Sequence, residues 1–216
     1  MLNIGLTGSI ACGKSTVAQM FVSHGAYLID FDKLAHEVQE PGKPAWQDVV
    51  DFFGPEVLQA DQKIDRNKIA AVVFHQSDKL QKLGEIVHPR VYEAWRKRRA
   101  EIQLMDDHAI ILADVPLLFE GRMQRLFDLT ILVKIDQGEQ IRRLMLRNAM
   151  SRKDADLRVS SQMSIYDKIS LADIVIDNQG TIFETEKRVS EVWDKLKSRE
   201  RSQSERPNFS SASAEG

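Results

Sequence analysis

The stretch Gly8-Ser9-Ile10-Ala11-Cys12-Gly13-Lys14-Ser15 decides the fold, because it matches the phosphate-binding pattern G-x-x-x-x-G-K-[S/T]. In such a loop, successive backbone N–H groups point inward at phosphate oxygens. The apolar run Leu2–Leu6 predicts a strand before the loop, and the run Ser15–His24 predicts a helix after it, ended by Gly25. The pattern assigns Lys14 to the β- and γ-phosphates and the Ser15 hydroxyl to Mg²⁺. The loop residues predicted to bind ATP with Mg²⁺ are Gly8, Ala11, Cys12, Gly13, Lys14, Ser15 and Thr16.

Cys12 lies inside this loop and has two interpretations. Its position near a helix N-terminus and Lys14 favours a lowered thiol pKa, which would make the cysteine reactive. Alternatively, cysteine is simply a small side chain that fits the loop. The sequence leaves both open.

The bulk composition restricts the class of protein. A chain of 216 residues with 43% hydrophobic residues suits one α/β domain with room for inserted subdomains. A formal net charge of −2 provides no global attraction to nucleic acid or to an anionic membrane. A single cysteine excludes an internal disulfide, and we identify neither a secretory signal nor an apolar stretch of the ~20 residues that span a bilayer. We therefore expect a cytoplasmic protein with a small-molecule substrate and no nucleic-acid or membrane partner; the oligomeric state stays open, with a monomer favoured.

Short apolar runs alternate with longer amphipathic ones, which is typical of a parallel sheet covered by helices. This pattern predicts an α/β P-loop fold of three layers, within a single domain over residues 1–197. A final helix is predicted over Ile182–Leu196, and the Ser-rich residues 198–216 are expected to be disordered. Further strands are predicted at Tyr27–Ile29, Ala109–Asp114, Leu129–Val133 and Ile174–Asp177.

Two helical segments interrupt the core formed by residues 1–32 and 108–197. Residues 33–107 lack strong strands, and we interpret them as an acceptor-binding insertion. Within it, we expect Pro89 to separate a helix over Ser77–Val87 from another that reaches Leu104. Other insertion helices are predicted over Pro44–Phe53 and Asp65–Phe74. The basic segment at about residues 140–169 predicts a helical lid.

Carboxylates follow two predicted strands, at the edge where open α/β sheets bind ligands. Asp30 and Asp32 leave the second strand two residues apart and hence on the same side. A carboxylate there can receive the proton of an acceptor hydroxyl, although Asp32 is also suited to cap the next helix. Asp114 ends a buried strand and is predicted to hold Mg²⁺, directly or through water; the alternative is a turn-forming residue.

Arg143 and Arg147 are four residues apart and would share a face of a lid helix. Guanidinium groups placed there can close over phosphates and stabilise transition-state charge, and Arg147 is our catalytic candidate. The alternative is a solvated basic face. A second run, Arg96–Arg99, points all round its helix and favours a surface interpretation.

The ordered motifs together resemble the dephospho-coenzyme A kinase family over about Leu2–Leu196. The motifs are Gly8–Thr16, Ile29–Asp32, Glu40–Gly42, Val87–Pro89, Val115–Glu120, Arg143 with Arg147, Ala172–Asp173 and Asp177–Gly180. The resemblance implies ATP-dependent phosphorylation of the ribose 3′-hydroxyl of dephospho-coenzyme A, giving coenzyme A and ADP in the last step of coenzyme A synthesis. It implies a fold like that of nucleoside monophosphate kinases.

The resemblance also implies roles for individual residues. Asp32 would be the proton acceptor, with Lys14 and Arg147 as the other catalytic residues. The ATP site would include Arg143 and, near the adenine, Asn178 and Gly180. The acceptor site would comprise Asp30, Asp32, His88, Pro89, Pro116 and Leu117. The chain departs from the usual family loop, since Ser9 and Ala11 replace glycines and Cys12 replaces a serine, and Asn148 stands where an aspartate is common.

Two other functions compete with this interpretation. One is another small-molecule or nucleoside monophosphate kinase, which the P-loop alone would equally allow. The other is a non-enzymatic nucleotide switch, but the chain has no Asn-Lys-x-Asp motif for reading guanine.

Overall fold

The computed structural model describes residues 1–74 and 76–204. Within these residues the chain divides into two compact units, one formed by residues 1–28 with those from 102 onward, the other by residues 29–101. The bounds of the second unit differ by only a few residues from those of the predicted insertion, residues 33–107. Within the described residues the helices are α1 Lys14–Ser23, α2 Phe31–Glu37, α3 Pro44–Phe53, α4 Arg66–Val73, α5 Ser77–Met105, α6 Gln137–Asn148, α7 Arg152–Ser160, α8 Ile165–Leu171 and α9 Ile182–Ser204.

A five-stranded parallel sheet forms the centre of the fold. Its strands are β1 Leu2–Gly8, β2 Tyr27–Asp30, β3 Ile110–Asp114, β4 Leu129–Lys134 and β5 Ile174–Asp177, in the order β2-β3-β1-β4-β5. β1 pairs with β3 on one side and β4 on the other, and every one of its residues is buried. Burial along its whole length, including the polar Asn3 and Thr7, shows that β1 is covered on both faces. The predicted α/β fold with a parallel sheet is confirmed.

The core of the first unit packs the sheet against α1 and α9. Phe21 of α1 is fully buried, and its ring lies 6.5 Å from that of Trp193 on α9. Val189 and Leu196 continue the same buried face of α9 one turn on either side of Trp193. This packing fixes α1, and with it the start of the helix that follows the phosphate loop.

The second unit consists of α2 to α4 and most of α5. The sequence predicted that Pro89 would separate two helices, and that is wrong, because α5 runs without interruption from Ser77 to Met105 with Pro89 inside it. A proline costs a helix interior about 3 kcal/mol. Val87 and Val91 are buried on either side of Pro89, and Trp95, buried one turn further on, packs 5.8 Å from Phe31. Burial of this face offsets the loss of one backbone hydrogen bond.

The last helix is longer than the sequence predicted. Residues 198–204 were expected to be disordered, yet α9 continues to Ser204. Glu200 explains the difference, because its side chain is buried and lies 3.1 Å from Nδ1 of His108. The rest of the Ser-rich segment, residues 205–216, lies outside the described residues. In the part of the chain that the structure describes, no helix is both long and apolar enough to cross a membrane.

Candidate active site

The phosphate loop connects the end of β1 to the start of α1. Gly13 has a φ of 83°, in the left-handed region, and forms the N-cap of α1. A Cβ on Gly13 would also lie 2.3 Å from Nδ2 of Asn178, so no other residue fits. At Gly8, a Cβ would lie 2.4 Å from Sγ of Cys12 and 2.8 Å from the Val133 carbonyl oxygen. Both glycines are therefore required by close approach of neighbouring atoms.

Ala11 is the strained residue of the loop. Its φ of 59° is left-handed, a conformation that costs a non-glycine residue about 1–2 kcal/mol. Ile10 and Ala11 pack against a small cluster formed by Ile141 and Leu144 of α6 and Ala155 of α7. Contacts with α6 and α7 therefore hold the loop in a backbone shape for which glycine is better suited.

Cys12 is buried, with only 1% of its surface exposed. Burial raises the pKa of its thiol to about 11, and the opposing effects of Lys14 are smaller. The hypothesis of a reactive cysteine with a lowered pKa is therefore wrong. The cysteine acts as a small buried side chain, and its carbonyl oxygen accepts a hydrogen bond from Asn178.

The Lys14 ammonium group forms an ion pair with the carboxylate of Asp114 at the end of β3. Their side chains are only 17% and 12% exposed, so water screens the pair little. Ser15 and Thr16 follow Lys14 in the first turn of α1 and are exposed. A lysine, a hydroxyl group and a carboxylate thus surround the positive end of α1, where an anion is stabilised.

Asn178, which follows β5, joins the far edge of the sheet to the loop. Its Nδ2 donates to the Cys12 carbonyl oxygen at 2.8 Å, and its Oδ1 accepts from the Thr185 hydroxyl at 2.8 Å. Both side-chain groups are therefore engaged within the protein. Each group keeps one further hydrogen-bonding position, so a contact with adenine, as the family resemblance implies, could use this side chain, the backbone of the turn or Gly180 two residues further on.

Arg143 and Arg147, which the sequence predicted to close over the phosphates, have different surroundings. Arg143 donates from Nε to Glu139 at 2.8 Å and from Nη2 to the Asn178 carbonyl oxygen at 3.4 Å, which directs its guanidinium toward the loop. Hydrogen bonds from Arg142 and then Arg143 lower the pKa of Glu139 to about 2. Arg147 is exposed in the last turn of α6 and donates to its neighbour Asn148 at 2.8 Å. Arg143 therefore borders the phosphate loop, whereas the contact of Arg147 is local.

In the second unit, Asp30 caps the helix that follows β2, whereas the sequence offered Asp32 as the capping residue. β2 ends at Asp30, and Oδ1 of Asp30 accepts from the Lys33 N–H at 3.0 Å, capping α2. Asp32 lies in the first turn of α2 and is exposed. The alternative that Asp32 caps the helix is therefore wrong, as is the expectation that both carboxylates leave an extended strand on one side.

Arg66 is a neighbour of Asp32 that the sequence analysis missed. Partial burial lowers the pKa of the Arg66 guanidinium, and the charges of Asp32 and Glu40 act in the opposite direction. Arg66 follows Asp65, which caps α4 through its own carboxylate. The sequence predicted a helix over Asp65–Phe74, but a lone arginine at a helix start gives no signal of its distant partners.

The remaining acceptor candidates fall in both units. In the second unit, His88 and Pro89 are exposed on α5, and a Cβ on Gly84 would lie 3.0 Å from Cε1 of His88. In the first unit, Pro116 and Leu117 follow β3. The Pro116 carbonyl oxygen accepts from the Thr7 hydroxyl at 3.1 Å, and Leu117 is 51% exposed.

A strand, a glycine-dependent loop and a helix on a parallel sheet, with a lysine directed at a strand-end carboxylate, define the nucleotide-binding class of P-loop proteins. The family model described as dephospho-CoA kinase (CoaE) matches residues 2–184. The chain therefore belongs to the dephospho-CoA kinase family. The predictions of this family and of a kinase are confirmed.

Individual relatives agree with this assignment over most of their length. The chain is 52% identical to a dephospho-CoA kinase of Syntrophus aciditrophicus over 94% of this chain and 86% of the relative. It is 43% identical to one of Bacillus cereus over 89% of this chain and 96% of the relative. Among solved structures, TT1252 from Thermus thermophilus has a TM-score of 0.75 at 31% identity and covers 89% of this chain and 96% of its own. A dephospho-CoA kinase from Campylobacter jejuni has a TM-score of 0.67 at 25% identity, covering 91% and 97%.

Proposed function

We propose that this protein transfers the γ-phosphoryl group of ATP to the ribose 3′-hydroxyl of dephospho-coenzyme A, giving coenzyme A and ADP. The observation that carries the proposal is the phosphate loop between β1 and α1, with Lys14 paired to Asp114, in a chain of the dephospho-CoA kinase family. The reaction is the final step of coenzyme A synthesis, and we place it in the cytoplasm, in a monomer.

In the proposed reaction, the loop N–H groups and Lys14 bind the phosphates of ATP. Asp32 accepts the proton of the attacking 3′-hydroxyl as the new O–P bond forms and the bond to ADP breaks. An exposed carboxylate in the first turn of a helix suits this role, because the short side chain of Asp32 is not used as the helix cap. Asp30 would then act indirectly, by fixing the start of α2.

Charge on the moving phosphoryl group requires further cationic groups. Arg143 is already directed toward the loop by Asn178 and Glu139. We propose that Arg147, whose contact with Asn148 is exposed and local, moves onto the phosphates when both substrates are bound. His88, Pro89, Pro116 and Leu117 remain our candidates for contacts with the acceptor.

The residues near Lys14 fit a magnesium ion that arrives with ATP. Within the described ranges, no group of three or more His, Cys, Asp or Glu residues is placed to hold a metal ion. Mg²⁺ in kinases commonly uses one or two protein oxygens together with phosphate oxygens and water, so a full protein cage is unnecessary. We propose Ser15 and Asp114 as those protein ligands; the ion would supply charge neutralisation at the phosphates.

An acceptor panel tests the proposal. Purified protein with ATP and Mg²⁺ should release ADP in proportion to added dephospho-coenzyme A and be nearly idle with nucleoside monophosphates, shikimate or gluconate. A preference for one of those other acceptors would overturn the proposed substrate while leaving the kinase class intact.

A further inference from the structure

The phosphate loop is held from outside by a side chain that the sequence analysis did not single out. Oε1 of Gln162, in the segment between α7 and α8, accepts a hydrogen bond from the Ile10 backbone N–H at 2.9 Å. The two residues are 152 positions apart, and the contact is partly buried. The Ile10 N–H is therefore directed at Gln162.

The segment that carries Gln162 is itself anchored in the protein interior. The N–H of Met163, the next residue, donates to Oε1 of Glu120 at 3.3 Å. The fully buried ammonium group of Lys168 on α8 lies 2.8 Å from the same oxygen, at ion-pair distance but outside regular hydrogen-bond alignment. This ion pair is costly to separate, because the buried Lys168 ammonium group would lose its partner in a site with little water. Gln162 thus projects from a fixed support.

The residue after Ile10 is the one that needs such support. Ala11 has a left-handed φ of 59°, which glycine adopts readily and alanine does not. A strained backbone persists only where its surroundings determine it. Fixing the Ile10 N–H holds the Ser9–Ile10 peptide unit, directly before the strained turn at Ala11. The packing of Ile10 against the cluster of Ile141, Leu144 and Ala155 restricts its side chain, so the chain enters the turn from a fixed position.

We propose that Gln162 is a positioning residue for ATP binding, which keeps the phosphate loop in its anion-binding shape despite alanine at position 11. The inference rests on the proposed function, since it concerns the loop that binds ATP. Gln162 acts through the backbone of Ile10. Its loss should therefore weaken ATP binding and leave the acceptor KM and the fold largely unchanged. With glycine at position 11, the left-handed turn costs little, and the contribution of Gln162 should shrink.

The test is a double-mutant cycle of Gln162→Met and Ala11→Gly, read by equilibrium ATP binding and by separate KM values for ATP and dephospho-coenzyme A. We expect Gln162→Met to raise the ATP Kd about three- to ten-fold with alanine at position 11, the size of one hydrogen bond. With glycine at position 11, the same change should raise it less than about two-fold. Gln103→Met, an exposed glutamine of α5, is the matched control and should change neither value.

Amide hydrogen exchange at Ile10 supplies a second readout that does not depend on turnover. Exchange should accelerate in Gln162→Met and return toward the wild-type rate in Gln162→Glu, which keeps an acceptor oxygen of the same reach. An unchanged ATP Kd in Gln162→Met, or equal losses with alanine and glycine at position 11, would overturn the inference. Failure of the wild-type protein to bind ATP would instead overturn the proposed function.

Discussion

Asp32 is the residue on which the proposed chemistry depends most directly. Replacing its carboxylate by an amide keeps the size of the side chain but removes the proton acceptor. We expect Asp32→Asn to lower kcat by about 10²–10⁴-fold, the usual contribution of a positioned general base. ATP affinity should change little, because the loop and Lys14 are untouched. Steady-state kinetics with an independent ATP-binding measurement separates the two effects.

Asp51→Asn is the matched control for this change. Asp51 is an exposed aspartate on α3 of the same unit, where it accepts a hydrogen bond from Gln47. The control should retain wild-type turnover. Near-normal kcat in Asp32→Asn would show that another group receives the hydroxyl proton.

Cys12 provides a prediction that depends on burial alone. With its thiol pKa raised to about 11, the thiolate fraction at pH 8 is about one in a thousand, against about a quarter for an ordinary exposed cysteine. We expect iodoacetamide to label folded protein very slowly and urea-unfolded protein rapidly, with a labelling rate that continues to rise above pH 9. Mass spectrometry of timed samples measures this difference. Rapid labelling of the folded protein at neutral pH would contradict the buried, high-pKa thiol.

At the residue scale, the sequence predicted what local chemistry determines. The loop pattern identifies Gly8, Gly13, Lys14 and Ser15, because their spacing follows from phosphate geometry. The sequence did not predict contacts that form only in the tertiary fold. The bonds from Asn178 to Cys12 and from Gln162 to Ile10 each join residues more than 150 positions apart.

Among the elements, α9 illustrates how packing determines a helix. Trp193 is 7% exposed and lies between Phe21 and His24 of the α1 region, with ring centroids 6.5 Å and 6.0 Å away. We expect Trp193→Ala to lower the free energy of unfolding by about 3–5 kcal/mol, as for other large buried side chains. Urea denaturation followed by circular dichroism measures the change.

Phe183→Ala on the same helix is the control for that prediction. Phe183 is 72% exposed, so its loss should change the free energy of unfolding by about 0.5 kcal/mol or less. Equal effects of the two substitutions would contradict the assignment of Trp193 to the core that holds α1.

Element boundaries show where sequence patterns are insufficient. The strands were predicted within a few residues, because buried parallel strands have continuous apolar runs. The continuity of α5 through Pro89 and the extension of α9 to Ser204 were not predicted. In both cases tertiary contacts, the buried face of α5 and the Glu200–His108 pair, override the local signal.

For the whole molecule, the sequence predicted the α/β class and the kinase family, since each rests on order along the chain. The identity of the acceptor does not follow from the order of elements along the chain. Selectivity depends on contacts with the substrate, and exposed residues such as His88 and Leu117 carry no pattern that specifies their ligand. The family relationship therefore supplies the substrate, and the structure supplies candidate contacts.

The fate of the γ-phosphoryl group tests the central claim most directly. Purified protein is incubated with γ-labelled ATP, Mg²⁺ and dephospho-coenzyme A, and the labelled product is located by NMR and mass spectrometry. We predict one ADP for each coenzyme A formed, with all the label on the ribose 3′-oxygen. Label at another hydroxyl, or ATP turnover that leaves dephospho-coenzyme A unchanged, would contradict the account.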